Sequence, residues 1–189
     1  MNTGTLLRFM IILFPVSELL LLLFRRRQDP SSQDVDKGSL RVLWITILAS
    51  VGITVSLQWY SLTPLPFSRV SLQEISLLFL ISGYVLRWIS ILILGRWFTP
   101  QVTIQPHQVL IQKGPYKRLR HPSYTGLLLE FVGLGIFFGT WVSLLIMTVP
   151  ITIAIINRIN TEEAALLATF GETYRQYQQR TKRLFPGIY

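Results

Sequence analysis

Two blocks of this chain hold the residue types and spacings that could do chemistry. The first is KGPYKRLRHPSYTG, residues 113–126, where four Lys or Arg and one His crowd into nine positions beside Gly114, Pro115 and Pro122. Pro122 suits the first turn of a helix. The start of a helix offers unpaired amides and the positive end of its dipole. Arg120 and His121 at such an end, with Tyr116 and Tyr124 close by, would receive an anionic group such as a carboxylate or phosphate. Lys117 and Arg118 also read as ordinary interfacial charges.

The second block is RINTEEAALLATFGETY, residues 158–174. Arg158 and Glu162 stand four apart, so one helical face can pair them. Asn160 as a helix cap with Glu163 three residues on would make a capping box. Glu162 and Glu163 could equally hold an ammonium group or ribose hydroxyls, and the residues alone leave both readings open.

Other polar residues are isolated. Glu130 stands inside an apolar run, where a charge is costly and faces a cavity or a partner, or is carried protonated. Glu18 interrupts the first apolar run and is expected to face another helix, Arg87 to snorkel to a nearby surface, and His107 to lie at the surface of a loop. With two His and no Cys, no metal-ligand spacing is present, and no metal is expected. A nucleophile elbow and a phosphate-cradling glycine loop are also missing.

These residues must be positioned by a membrane body. Half of the 189 residues are apolar and only 14% are charged, a composition far from that of a soluble domain. The formal net charge of +9 is concentrated at the ends of apolar runs, which argues against nucleic acid as a partner. A membrane-crossing helix needs about 20 apolar residues. Phe9–Phe24 (extended back to Thr5), Val42–Tyr60 and Ser71–Leu94 each qualify. Pro122–Asn157 is too long for one span, and Gly139-Thr140 divides it into a hairpin of two short helices. The resulting expectation is an all-α integral membrane protein of about five transmembrane helices, with a structured cytoplasmic loop over 95–121 and a C-terminal cytoplasmic helix.

Within that loop, Val102, Ile104, Val109 and Ile111 alternate as a strand would. After Arg158, Ala164, Leu167, Phe170, Tyr174 and Tyr177 fall near one helical face. Arg25, Arg26, Arg27, Lys37 and Arg41 load the first connection, and Arg96 with the 113–121 cluster loads the third. The second connection holds only Arg69, and the hairpin turn holds no charge. The basic connections are therefore expected in the cytoplasm, with the N-terminus outside and the C-terminus inside. In a bacterium the membrane would be the plasma (inner) membrane.

The blocks HQVLIQKGPYKRLRHPSYTG, RINTEEAALLATFGETYRQY and RLFPGIY, separated by a helical hairpin, together resemble the isoprenylcysteine carboxyl methyltransferase family, to which phospholipid N-methyltransferases are related. The resemblance covers about residues 94–189; the first two spans carry no motif. It implies one membrane methyltransferase domain over 1–189, with N-terminal helices over 1–94 and a cofactor-binding catalytic half over 95–189. The implied cofactor is S-adenosylmethionine, bound by His107, Leu110, Gly114, Tyr116, Arg120, His121, Tyr124, Glu162 and Glu163. Arg158 would stand at the reacting centre, facing a lipophilic acceptor that arrives from the bilayer, either the carboxylate of a prenylcysteine-like molecule or a lipid amine. Two rivals are an NADPH-dependent membrane reductase of the sterol type, which shares an RHxxYxG-like block, and a membrane scaffold without catalysis. The Glu162-Glu163 pair suits the methyltransferases.

Overall fold

A computed structural model describes residues 3–23, 33–34, 36, 38–60 and 63–185. The helices are α1 (Thr3–Leu23), α2 (Ser39–Leu57), α3 (Arg69–Leu94), α4 (Pro122–Phe137), α5 (Trp141–Phe170) and α6 (Glu172–Arg180). Four of them are long and apolar enough to cross a membrane, and α4 is a shorter apolar helix. The chain is an all-α, multi-pass membrane protein. Leu48, Leu78, Leu92 and Ile153 are each more than 60% exposed, as expected of side chains that face lipid.

Helix α3 packs along α4, α1 lies against α3, and α5 joins α2 to α4. Gly83 and Gly126 make the α3–α4 approach possible. A Cβ on Gly83 would lie 2.6 Å from the Gly126 carbonyl oxygen, and a Cβ on Gly126 equally close to that of Gly83. Small residues let membrane helices meet backbone to backbone. Ser76 adds a hydrogen bond from its hydroxyl to the Gly133 carbonyl at 2.8 Å. Glu130 lies in this seam, 1% exposed, against Gly83 and with no hydrogen-bond partner among the described residues.

The hairpin falls where expected. Gly139 turns the chain at φ 76°, and Thr140 caps α5 by accepting from the Ser143 amide at 3.0 Å. Arg25, Arg26, Arg27 and Lys37 lie outside the described residues. The strands β1 (Gln33–Asp34) and β2 (Thr103–Ile104) pair antiparallel, which joins the first and third connections at one end of the bundle. At the other end the second connection meets the hairpin turn, where the Leu65 amide donates to the Gly139 carbonyl at 2.9 Å and the Trp141 amide to that of Thr63 at 3.1 Å.

Three local expectations are corrected. Asn160 is not a cap, because α5 runs unbroken through Arg158 and ends at Gly171 (φ 52°), after which α6 begins. The apolar face of α5 continues into its second half, so the helix has no reason to restart. The alternating stretch forms a strand only at Thr103–Ile104; Val109 and Ile111 lie in irregular chain. Arg87 does not snorkel. It is 7% exposed and forms a two-pronged ion pair with Glu18 of α1 through Nε and Nη2, while Nη1 donates to the Ser123 carbonyl. The bilayer interior favours such a partner over a long reach to water.

Candidate active site

The turn Gly114–Lys117 and the start of α4 are held by the end of the chain. The Arg120 amide donates to the Lys182 carbonyl at 2.7 Å, the His121 amide to that of Arg183 at 3.1 Å, and the Lys182 amide to that of Arg118 at 3.0 Å. Tyr177 of α6 donates its hydroxyl to the Tyr116 carbonyl at 2.8 Å, and Thr125 donates to that of Leu184 at 2.6 Å. The basic block is thereby folded onto the acidic one.

Glu163 is the hub of that junction. Its carboxylate receives Arg120 Nε at 2.7 Å, His121 Nε2 at 3.2 Å and Arg183 Nη2 at 2.8 Å. Every lone-pair direction is used, so Glu163 fastens the wall. Glu162, one residue earlier, is different. It accepts from the Tyr124 hydroxyl at 3.0 Å, its side chain is 31% exposed, and no guanidinium touches it among the described residues.

Arg158 is 3% exposed and held on all sides. Its Nε donates to Tyr124 Oη at 2.7 Å, and its Nη1 donates to Ser39 Oγ at 3.0 Å and to Asp36 Oδ2 at 3.2 Å. Nη2 donates to the Pro100 carbonyl. Asp36 also accepts from Ser39 Oγ at 2.5 Å and from the Leu40 amide at 3.2 Å, so it caps the start of α2 while pairing with Arg158. Burial alone would raise the Asp36 carboxyl, but the Ser39 hydrogen bond and the Arg158 charge outweigh it and hold it below the ordinary range. Burial, reinforced by the Glu162 carboxylate, pushes the Tyr116 phenol far above its usual value, so it remains protonated.

Beside these groups lies a cavity of about 1320 Å³, open mouth included. Leu110, Tyr116, Arg120, His121, Tyr124, Arg158 and Glu162 all line it. His107, Gly114 and Glu163 do not. His107 is exposed at φ 55°, Gly114 turns the chain at φ 60° against Ile93, and Glu163 is behind the wall. The apolar part of the lining comes from Leu43, Trp44 and Ile47 of α2, Leu94 of α3, Phe98 and Leu127. Sequence reasoning did not find Asp36 and Ser39. The signal was Asp-x-x-Ser just before an apolar helix, a pattern that suggests a cap and nothing more. It also left the Glu18–Arg87 pair, which lines the cavity, without a role.

A bundle of apolar helices with a cavity that mixes charged and apolar side chains defines the class: a multi-pass membrane protein. The comparisons with known proteins are specific. Residues 76–168, just under half of the chain, match the model of the isoprenylcysteine carboxyl methyltransferase (ICMT) family. It is 32% identical over 118 residues to the protein-S-isoprenylcysteine O-methyltransferase of Schizosaccharomyces pombe, covering 61% of this chain and 50% of that one. Identity to protein-S-isoprenylcysteine O-methyltransferase B of Arabidopsis thaliana is 32% over 119 residues, 62% of this chain and 60% of the other. The chain thus spans half to three-fifths of the length of these relatives. The solved structure of the eukaryotic intramembrane Ras methyltransferase ICMT superposes with a TM-score of 0.67 at 24% identity, covering 95% of this chain and 64% of that one, which is a likeness of fold.

Proposed function

We propose that this protein is an S-adenosylmethionine-dependent methyltransferase, working as one domain, that methylates a lipophilic acceptor reaching it from the bilayer. The observation that carries this reading is the mixed lining of one cavity. Arg120, His121, Tyr124, Arg158 and Glu162 give it polar groups, and Leu43, Trp44, Ile47 and Leu127 apolar ones. A polar cofactor and an apolar acceptor need both in contact. The relatives' names, protein-S-isoprenylcysteine O-methyltransferase, supply the reaction class.

The residues present fit the cofactor. S-adenosylmethionine carries an ammonium group and ribose hydroxyls, both donors, and Glu162 is a carboxylate with spare acceptor capacity at the cavity wall. His121 stacks on Tyr124 with ring centroids 5.7 Å apart, leaving an aromatic face beside it. When bound, the cofactor supplies a methyl group on a positively charged sulfur, already activated for attack. The protein's task is therefore orientation, which is worth on the order of 7 kcal/mol at good geometry. Glu162, with Tyr116 and His121, would hold the cofactor. Arg158 would orient the acceptor, its planar fork fixed by Tyr124, Ser39, Asp36 and Pro100. The apolar lining of α2 and Leu127 would keep water from the acceptor's tail.

The test is a binding titration on purified protein in lipid nanodiscs, S-adenosylmethionine against NADPH, followed by methyl transfer to a lipid extract. Saturable binding of S-adenosylmethionine and labelled lipid product are expected. Binding of NADPH alone would overturn the reading in favour of a reductase.

A further inference from the structure

Four tyrosines line the cavity, and three of them donate their hydroxyl protons within the protein. Tyr116 donates to the Ser90 carbonyl at 3.4 Å, Tyr124 to Glu162 at 3.0 Å and Tyr177 to the Tyr116 carbonyl at 2.8 Å. Tyr174 is the exception. It is 1% exposed, and its hydroxyl has no hydrogen-bond partner among the described residues. A buried phenol left unpaired is unfavourable, and a native fold seldom keeps one unless something else completes it. Burial, reinforced by the Glu163 and Glu162 carboxylates, pushes this phenol well above its usual value, so it stays a donor.

We infer that the Tyr174 hydroxyl donates to a ring nitrogen of the cofactor's purine base, with Leu166 and Phe170 against the base; the inference rests on the methyltransferase reading above. The order of side chains along α5 assigns the base to this end. Arg158, Glu162, Leu166 and Phe170 recur every four residues, all line the cavity, and span about 18 Å of helix. They run from a cation, through a carboxylate, to two apolar groups. S-adenosylmethionine repeats that order, with a reacting sulfonium, then ribose hydroxyls, then a flat uncharged base. Gly171 then turns the chain at φ 52°, and α6 brings Tyr174 and Tyr177 to the same cavity, their ring centroids 6.0 Å apart. Aromatic and aliphatic neighbours suit the faces of a purine, and one phenol donor suits an acceptor nitrogen on its edge. The cofactor's own carboxylate is another acceptor, but it lies beyond the sulfonium, away from the base.

This assignment gives Tyr174 a signature that a structural tyrosine lacks. Its hydroxyl is unpaired in the free protein and paired in the loaded one. Removing it therefore relieves the free protein of an unsatisfied donor and takes a hydrogen bond from the complex. A tyrosine bonded within the fold would do the reverse, losing stability without telling one base from another.

The experiment uses the full chain in nanodiscs and S-adenosylhomocysteine, which lacks the transferable methyl, so binding is read without turnover. Calorimetric titrations are run with it and with its deaza analogues, in each of which one acceptor nitrogen of the base is replaced by C–H. The wild type is expected to bind at least one analogue about fivefold or more weakly than the parent compound. Tyr174→Phe should bind the parent compound more weakly by a similar factor, and should no longer distinguish it from that analogue. Without ligand, the variant should melt at or above the wild-type temperature. Unchanged affinity for the parent compound in Tyr174→Phe overturns the inference, as does a wild type that binds every analogue equally. A discrimination that persists undiminished in the variant overturns it too. A variant that melts lower, or does not fold, shows that the hydroxyl has its partner within the protein, which again overturns it. A wild-type protein that binds neither S-adenosylhomocysteine nor S-adenosylmethionine overturns the methyltransferase reading instead.

Discussion

The guanidinium of Arg158 donates to the carboxylate of Asp36 at 3.2 Å across 122 positions of sequence. The contact ties the first connection to the second half of α5. Both side chains are almost wholly buried, at 3% and 2% exposure. Such a pair is not clear evidence of added stability, but removing one partner strands the other.

Its pH dependence has a definite sign. The Asp36 carboxyl is held below its ordinary value of 3.8 in the folded protein. A depressed folded value means a contribution fully present above the unfolded value and lost as pH falls through the folded one. Wild-type and Asp36→Asn proteins should therefore differ in melting temperature by a constant amount above about pH 5, and converge as the pH falls below the ordinary carboxyl range. Melting curves by intrinsic fluorescence across that range check this. A difference that grows towards low pH would contradict the assignment.

Arg158 itself should be intolerant of its nearest relative. Lysine keeps the charge but cannot donate in three fixed directions to Tyr124, Asp36 and Pro100. Arg158→Lys is expected to leave S-adenosylmethionine affinity near wild type and to lower single-turnover methyl transfer by a factor of about ten or more, roughly 1.4 kcal/mol of barrier. Wild-type transfer in that variant would make Arg158 a simple anchor of α5.

The α3–α4 seam predicts a purely structural effect. A methyl group added at Gly83 or Gly126 meets backbone atoms of the opposite helix within 3 Å, and backbone cannot swing aside as a side chain tip can. Gly83→Ala and Gly126→Ala should each destabilise the fold by about 1–3 kcal/mol, the usual range for overpacking. Gly52→Ala, where nothing lies within 4 Å, is the control and should melt like the wild type. Equal melting temperatures for all three variants would contradict the close packing.

Much of this was legible in the sequence because it depends on local pattern. Apolar runs mark helices wherever they occur, and Gly139 marks the hairpin because few other residues tolerate its φ of 76°. The motif blocks led to Arg120, His121, Tyr124, Arg158 and Glu162, which the fold brings to one cavity. Contacts between distant segments were not legible. Nothing near Glu18 announces that Arg87, 69 positions away, is its partner, and nothing near Asp36 announces Arg158. Asn160 misled for a related reason. A local capping pattern yields to a helix whose apolar face continues past it, because tertiary burial outweighs the roughly 1 kcal/mol of a cap.

Topology is open to a direct check. The pairing of Gln33–Asp34 with Thr103–Ile104 places the first and third connections at the same end of the bundle, as the two crossings between them, α2 and α3, require. Arg41, Arg96 and Lys117 belong to that end, and the positive-inside rule assigns it to the cytoplasm. A reporter fused after Tyr189 should be active only on the cytoplasmic side, and one inserted between Ser68 and Arg69 only on the outer side. The reverse pattern would invert the proposed orientation.

The adjacent carboxylates Glu162 and Glu163 should separate cleanly when each is changed. Glu163 binds Arg120, His121 and Arg183 behind the cavity wall, so its loss leaves buried donors unpaired and loosens the joint between α4, α5 and the end of the chain. Glu163→Ala is therefore expected to lower the melting temperature, and to weaken cofactor binding only as far as the wall itself is disturbed. Among the described residues Glu162 accepts one hydrogen bond, from Tyr124, lies 3.8 Å from His121 Nδ1 and lines the cavity. Glu162→Ala should melt near wild type yet lose about 1.5–3 kcal/mol of S-adenosylmethionine affinity, the cost of a hydrogen bond to a charged group. Parallel melting curves and cofactor titrations on the two variants make the comparison. If Glu162→Ala binds the cofactor as the wild type does, Glu162 serves only to orient Tyr124, and the cofactor's donors must be received by another part of the wall.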